Sequence, residues 1–322
     1  MPEISNKDWA DADLDELAKL TFNSLQKSVF FQTERTYEDV KEWLNRNVER
    51  FSPTSIFLAH SNGDLVGWLA VTLDIKPLIS ETWRWVPYIS PEVNEQKDEV
   101  AMGLIRRCVE YVKSRGQTRL EVCFDRISEA TMPQYIQYKA WFEAEGVCLV
   151  DDNAYMHRSL DAREFSEDDL VPPPGYTYEA LTDVDLEAVY SCYSRSFNES
   201  DIRAYHDMTL EERRADFEHY FEGRNRDDEA SMAVTKDGDI VGFSLVHSRP
   251  RAAHLADIGI IQAHRGKGLG RKILRHSLMK AAQDYETITL AVDIQNTAAY
   301  DLYVDLGFKI DYRIITHAWR RE

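Results

Sequence analysis

The run Gly63-Asp-Leu-Val-Gly-Trp68 returns in the second half of the chain as Gly238-Asp-Ile-Val-Gly-Phe243. Each copy starts from a pair suited to a tight hairpin turn, Asn62-Gly63 or Asp237-Gly238, and continues as an alternating strand. The repetition goes further. Each half then has an amphipathic segment ("EVAMGLIRRCVEYVKSRG" and "GKGLGRKILRHSLMKAAQDY") and an apolar strand ("TRLEVCFD" and "TITLAVDI"). A further helix follows, and a close at Gly146-Val147 or Gly307-Phe308. Both halves therefore read strand, helices, hairpin, strand, helix, strand, helix, strand, and duplication of one α/β unit is the economical fold.

A length of 322 residues suits two domains, each able to bury its own core. The proline-rich stretch "SEDDLVPPPGY" divides the halves, since nothing regular passes through three consecutive prolines. The expected organisation is a first domain over 1–165, a linker over 166–175 and a second domain over 176–322. No run approaches twenty apolar residues, so no membrane span or membrane partner is expected. The opening "MPEISNKDWADADLDEL" lacks the basic region and apolar run of a signal peptide, and a cytoplasmic location is expected. A formal charge of −18 repels phosphate backbones; nucleic acid is disfavoured, and a cationic or amine-bearing small molecule is favoured. Cys108, Cys123, Cys148 and Cys192 are scattered without metal-like spacing, which reads as buried thiols and no metal.

"AAHLADIGII" has strand character, and "HRGKGLGRKIL" leads from it into a helix with Leu269, Ile273, Leu274, Leu278 and Ala281 on one side. A strand, glycine loop, helix junction aims bare N–H groups and the positive helix end at one point, which suits a phosphate. Gly266, Gly268 and Gly270 let an anion approach the backbone, while Arg265, Lys267, Arg271 and Lys272 supply charge. A pyrophosphate is the expected occupant. The P-loop pattern fails because no Ser or Thr follows Lys267 or Lys272. The dinucleotide fingerprint fails because Arg271 stands where its last glycine belongs, and too little chain remains for further βα units. What remains is [QR]-x-x-G-x-[GA], here Arg265-Gly-Lys-Gly268-Leu-Gly270.

Joined to "NTAAYDLYVDLGF" after one intervening strand, this pattern closely resembles the GNAT superfamily of acetyl-CoA-dependent N-acetyltransferases over about Tyr176 to Trp319. The resemblance implies an α/β fold of two tandem domains, each a mixed, mostly antiparallel sheet flanked by helices. It implies acetyl-CoA as cosubstrate, no metal, and a pyrophosphate held by Arg265, Gly266, Lys267, Gly268, Leu269, Gly270 and Arg271. It further implies a strand that splays from its neighbour near Ile260, Ile261 and Gln262, with Asn296 on the pantetheine arm and Tyr303 as the acid that protonates the leaving thiolate. Where many members carry a glutamate base this chain has His254; Asp257 is the next candidate, acting through a water chain. Each assignment has a plainer counterpart: a helix cap at Asn296, a core tyrosine at Tyr303, a satisfied polar group at His254, and surface charge at Arg271 and Arg275.

The first half looks like a copy that has lost its site. Aligned on "VPYISPEVNEQKDEV", it has no glycine in the loop, and Glu95, Asp98 and Glu99 stand where a pyrophosphate would lie. Phe142 and Tyr135 take the places of Tyr303 and Asn296. An acceptor role for Glu199, Asp201 and Asp207, recognising a cationic amine, competes with a solvated acidic loop; Trp83 and Trp85 read as core. The favoured activity is acetyl transfer to a small-molecule amine by direct attack in a monomer or homodimer. Its alternatives are a non-catalytic acyl-CoA sensor or interaction module, an enzyme similar to mycothiol synthases, which share the tandem plan, and a peptide N-terminal acetyltransferase.

Overall fold

The computed structural model describes residues 2–25, 36–76, 79–82, 86–198, 203–206, 208–221 and 225–321. Trp83, Trp85, Glu199, Asp201 and Asp207 lie outside the described residues. The first repeat runs β1 (Glu3–Asp8), α1 (Leu14–Leu25), α2 (Tyr37–Phe51), β2 (Ser55–Ser61), β3 (Asp64–Lys76), β4 (Ile79–Glu81) and β5 (Tyr88–Ile89). It continues through α3 (Lys97–Ser114), β6 (Arg119–Ile127), α4 (Met132–Ala144) and β7 (Cys148–Ser159). The second runs β8 (Thr177–Ala180), α5 (Leu186–Asn198), α6 (Arg203–His206), α7 (Leu210–Phe221), β9 (Met232–Lys236) and β10 (Asp239–Arg249). It ends with β11 (Ala252–Ile260), α8 (Leu269–Ala281), β12 (Thr287–Asp293), α9 (Thr297–Asp305) and β13 (Lys309–Arg320). Both hairpin turns are left-handed at both central residues, with φ +54° and +89° at Asn62-Gly63 and +55° and +90° at Asp237-Gly238. That handedness matches the twist of the strands they join.

The chain folds into two compact units, residues 1–151 with 314–322, and residues 152–313. This division differs from the one expected at the proline-rich stretch, for two physical reasons. The first is strand pairing. β7 pairs with β12 over Asn153–Ser159 and Asp293–Thr287, so most of the first repeat's last strand belongs to the second unit. The end of β13 lies beside β6 in the first unit, where Ile315 and Trp319 join the core. The second reason is that the stretch 166–175 is not free-standing. Asp169 is buried and paired with Arg275 of α8 at 2.5 Å, and Lys272 donates to the Asp168 carbonyl oxygen.

Within the first unit the strands lie in the order β1-β2-β3-β4-β6, antiparallel except for the parallel pair β4 and β6. In the second the order is β7-β12-β11-β10-β9-β8, antiparallel except for β11 and β12. One core of the second unit packs α5 and α7 against β9 and β10 through Tyr193, Phe217, Phe221 and Phe243. The opposite face packs α8 and α9 against β10 to β12 through Leu274, Leu278, Leu290 and Phe308. Among the described residues no helix is long and apolar enough to cross a membrane.

Candidate active site

β11 is a full partner of β10 but only a partial partner of β12. The parallel pairing covers Ala253–Leu255 against Ile288–Leu290 and then stops, although both strands continue. The two strands thus part beyond Leu255. Ile261 donates its N–H to Val241 at 3.1 Å, so strand alternation turns the N–H and carbonyl of Ile260 away from β10 toward the gap. The gap opens into a cleft of about 390 Å³ lined by Ile258 to Ile260, the glycine loop and one side of α9.

The loop is built by two left-handed glycines. Gly266 has φ +72° and Gly268 φ +75°, and Gly268 is the N-cap of α8 without any side-chain cap. The first amides of α8 are therefore left for an outside acceptor, at the positive end of the helix dipole. A Cβ at Gly270 would stand 3.3 Å from Ile260 Cδ1, so its smallness brings helix and strand end together. A β-carbon at Gly259 would meet Phe243 Cε1 at 2.5 Å, which ties that position to glycine as well.

Of the residues expected to hold acetyl-CoA, Ile260, Arg265, Gly266, Gly268, Leu269, Gly270, Arg271, Asn296 and Tyr303 line the cleft. Ile261, Gln262 and Lys267 are not among its lining residues. Ile261 is buried in the core, Gln262 opens an exposed 3-10 turn, and Lys267 folds back onto the Ala263 carbonyl at 2.9 Å. Arg265 binds backbone: Nε donates to Ile260 O at 2.8 Å and Nη2 to Ser196 O at 2.6 Å. Arg271 pairs with Asp305 at 2.8 Å in a solvent-exposed contact. Neither guanidinium is thus spread over the loop as an open phosphate clamp. Ser196, Phe197 and His264 also line the cleft. No local motif announces the first two, because they come from α5, remote in sequence.

Asn296 caps α9, accepting from Ala299 N–H at 3.3 Å, and still lines the cleft. Tyr303 is buried on α9 with Phe308 packed edge-on at 5.8 Å. Burial first, and then the charge of Asp257, push its phenol well above the usual tyrosine range. Asp257 is therefore close enough to influence Tyr303, although it does not itself line the cleft.

His254 and Asp257 are brought to one face by a bulge. Leu245 pairs with Asp257 and Val246 with Leu255, leaving Ala256 as an extra residue. His254 opposes His247, which shares a face of β10 with Leu245. His254 does not line the cleft. Its Nδ1 is 2.9 Å from Thr289 Oγ1, its ring lies nearly parallel to Tyr155 at 6.2 Å, and burial pushes its pKa down to about 3. The imidazole is neutral at pH 7 for that reason.

In the first unit the matching junction is closed. A 3-10 turn at Pro91–Gln96 replaces the glycine loop, Trp141 Nε1 donates to Asp98 at 2.8 Å and Lys97 to Gln137 at 3.2 Å. These bonds tie α3 to α4, where α8 and α9 of the second unit flank the cleft. Phe142 is fully buried, and Tyr135 hydroxyl meets His317 Nε2 at 3.1 Å.

Residues 186–308 match the model of the acetyltransferase (GNAT) family. The family likeness of the sequence is thus confined to the second unit. The GNAT likeness of the whole chain is one of fold: a GCN5-related N-acetyltransferase from Sphaerobacter thermophilus superposes with a TM-score of 0.56, covering 99% of this chain and 96% of that one at 18% identity. A mycothiol acetyltransferase of Streptomyces griseus is 34% identical over 85 residues, 26% of this chain and 28% of that protein. A streptothricin acetyltransferase of Streptomyces lavendulae is 34% identical over 90 residues, 27% of this chain and 48% of that protein. The chain thus spans less than half the length of either of these two relatives.

Proposed function

We propose that the chain is an N-acetyltransferase that moves an acetyl group from acetyl-CoA to the amine of a small molecule, with its site in the second unit. The observation that carries this reading is the uncapped glycine junction at Gly268, opening into the cleft where β11 parts from β12 and where Tyr303 is buried. Acetyl-CoA supplies an acyl thioester, whose carbonyl carbon an amine can attack directly. The amides of Gly268 to Gly270 would receive the diphosphate, a role the helix dipole favours. Ile260 N–H, turned into the gap, is suited to stabilise the negative charge that grows on the carbonyl oxygen during attack. Asn296 would steady the arm between diphosphate and thioester.

Tyr303, whose phenol is shifted upward and keeps its proton, would give that proton to the departing thiolate. The acceptor amine must lose a proton first. Asp257, within electrostatic reach of Tyr303, is the better placed receiver through water; His254 stands on the same strand face as a neutral relay. The first unit, with its loop replaced and its helices tied by Trp141 and Asp98, is proposed to bind no acyl-CoA.

The test is thiol release from acetyl-CoA against polyamines, aminoglycosides, amino acids and peptide N-termini, comparing the wild type with Tyr303→Phe. Amine-dependent release that falls in the variant supports the transferase. Tight CoA binding with no release on any acceptor would instead make the chain an acyl-CoA sensor.

A further inference from the structure

Beside the glycine loop lies a cluster of cations that the acetyl-transfer chemistry does not use. His264, at the loop's entry, lines the cleft and holds the Tyr176 hydroxyl at 2.9 Å through Nδ1. Lys236 Nζ sits 5.3 Å from the centre of the same tyrosine ring, and Lys267 is anchored on Ala263 O. Arg195, from the last turn of α5, is within electrostatic reach of the His264 imidazole. The positive field of Lys267, Lys236 and Arg195 adds to burial in holding the His264 imidazole below its ordinary pKa, against a smaller opposing effect of Asp237.

Such a cluster is out of character for this chain. Several other arginines of the second unit are paired with carboxylates: Arg214 with Glu187 and Glu218, Arg275 with Asp169, Arg313 with Asp152. Among the described residues Arg195, Lys236 and Lys267 form no ion pair, in a protein of net charge −18. Like charges held together repel one another, and an anion relieves that repulsion.

We infer that Arg195, Lys236 and Lys267, with the Tyr176–His264 pair between them, form a phosphate-monoester site that receives the 3′-phosphate of the acyl-CoA nucleotide. This rests on the proposed acyl-CoA site. The cluster borders the glycine loop, and the 3′-phosphate is separated from the diphosphate by one ribose, so one ligand can engage both. The consequence is selectivity for CoA over dephospho-CoA, which lacks that phosphate.

Calorimetric titration of the full chain with CoA, dephospho-CoA and inorganic phosphate tests this, using the wild type and an Arg195→Gln/Lys236→Gln double variant. Each charge-assisted contact is worth enough to make CoA bind at least about tenfold tighter than dephospho-CoA in the wild type. In the variant that gap closes, while dephospho-CoA affinity changes by less than about twofold, since surface charges away from the contact contribute little. CoA binding should also weaken more steeply with salt than dephospho-CoA binding. Equal affinities in the wild type, or a gap that survives in the variant, overturn the inference and leave the diphosphate loop intact. Inorganic phosphate binding at the cluster with no CoA preference assigns it to free phosphate and also overturns it. If neither nucleotide binds, the acyl-CoA reading itself fails. A charge-reversing Lys236→Glu variant, checked for an unchanged melting temperature, repeats the comparison should the double variant fold poorly.

Discussion

Arg265 donates from Nε to the carbonyl oxygen of Ile260 across 2.8 Å, and the other arm of its guanidinium reaches Ser196 O at 2.6 Å. One side chain thereby fastens the end of β11, the loop and the last turn of α5. Replacing it with alanine frees two carbonyls and loosens the cleft wall; acetyl-CoA affinity should fall about tenfold, the effect of losing charge-assisted bonds. Lysine should not rescue, because an ammonium group lacks the planar fork. Titration calorimetry on wild type, Arg265→Ala and Arg265→Lys checks this.

Gly259 and Gly238 separate two costs of adding one methyl group. Gly259→Ala forces a β-carbon to within 2.5 Å of Phe243 Cε1 and 3.1 Å of Ser196 Cβ. Overpacking of this kind costs about 1–3 kcal/mol, and it also pushes on the cleft wall. Gly238→Ala meets nothing within 4 Å but has φ +90°, so its cost, about 1–2 kcal/mol, is conformational alone. Denaturant unfolding should show both losses, and only Gly259→Ala should also weaken CoA binding.

Tyr303→Phe should lower kcat by about a hundredfold, the lower range for general acid catalysis, with little change in KM for acetyl-CoA. Because its phenol is shifted upward, Tyr303 stays protonated through the alkaline range, and any high-pH loss of kcat it causes lies above about pH 10. Asp257→Asn removes the charge that adds to this shift and should move that limb downward. A kcat–pH profile of the three proteins reads it.

His254 carries a pH signature in stability as well. Its folded pKa is about 3 against an unfolded value near 6.5, so the unfolded chain binds the extra proton between these values. The stabilising contribution is complete above about pH 6.5 and is lost as pH falls through the folded value, by up to about 1.4 kcal/mol per pH unit. Urea unfolding at pH 7 and pH 5 should show a steeper loss in wild type than in His254→Gln.

The exchanged strands predict what cannot be cut. Deleting 314–322 removes Ile315 and Trp319 from the first unit's core and should unfold that unit. A fragment starting at Tyr176 leaves β12 without β7 and should be aggregated or partly unfolded. Circular dichroism and size-exclusion chromatography of the two truncations test both statements.

The hairpin turns and the glycine junction were legible because their chemistry is local. Asn62-Gly63, Asp237-Gly238, Gly266 and Gly268 need left-handed backbone, and glycine or Asx beside it reveals that need in a few residues. Strand partnership is another matter. Alternation marks Cys148–Ser159 and Lys309–Arg320 as strands but says nothing about which neighbour each will join, so the crossing of the two repeats was invisible. The linker reading of 166–175 missed that Asp169 would find Arg275, a contact between residues far apart in sequence. The bulge at Ala256, which turns Asp257 onto the face of His254, depends on register with β10 and leaves no mark in composition.

The exchange of last strands also bears on how a duplicated gene ages. Once β7 serves the later copy and the end of β13 the earlier one, an inheritance that discards either copy discards part of the other. A half that has lost its glycine loop would thereby be retained through the edge it lends to its sibling.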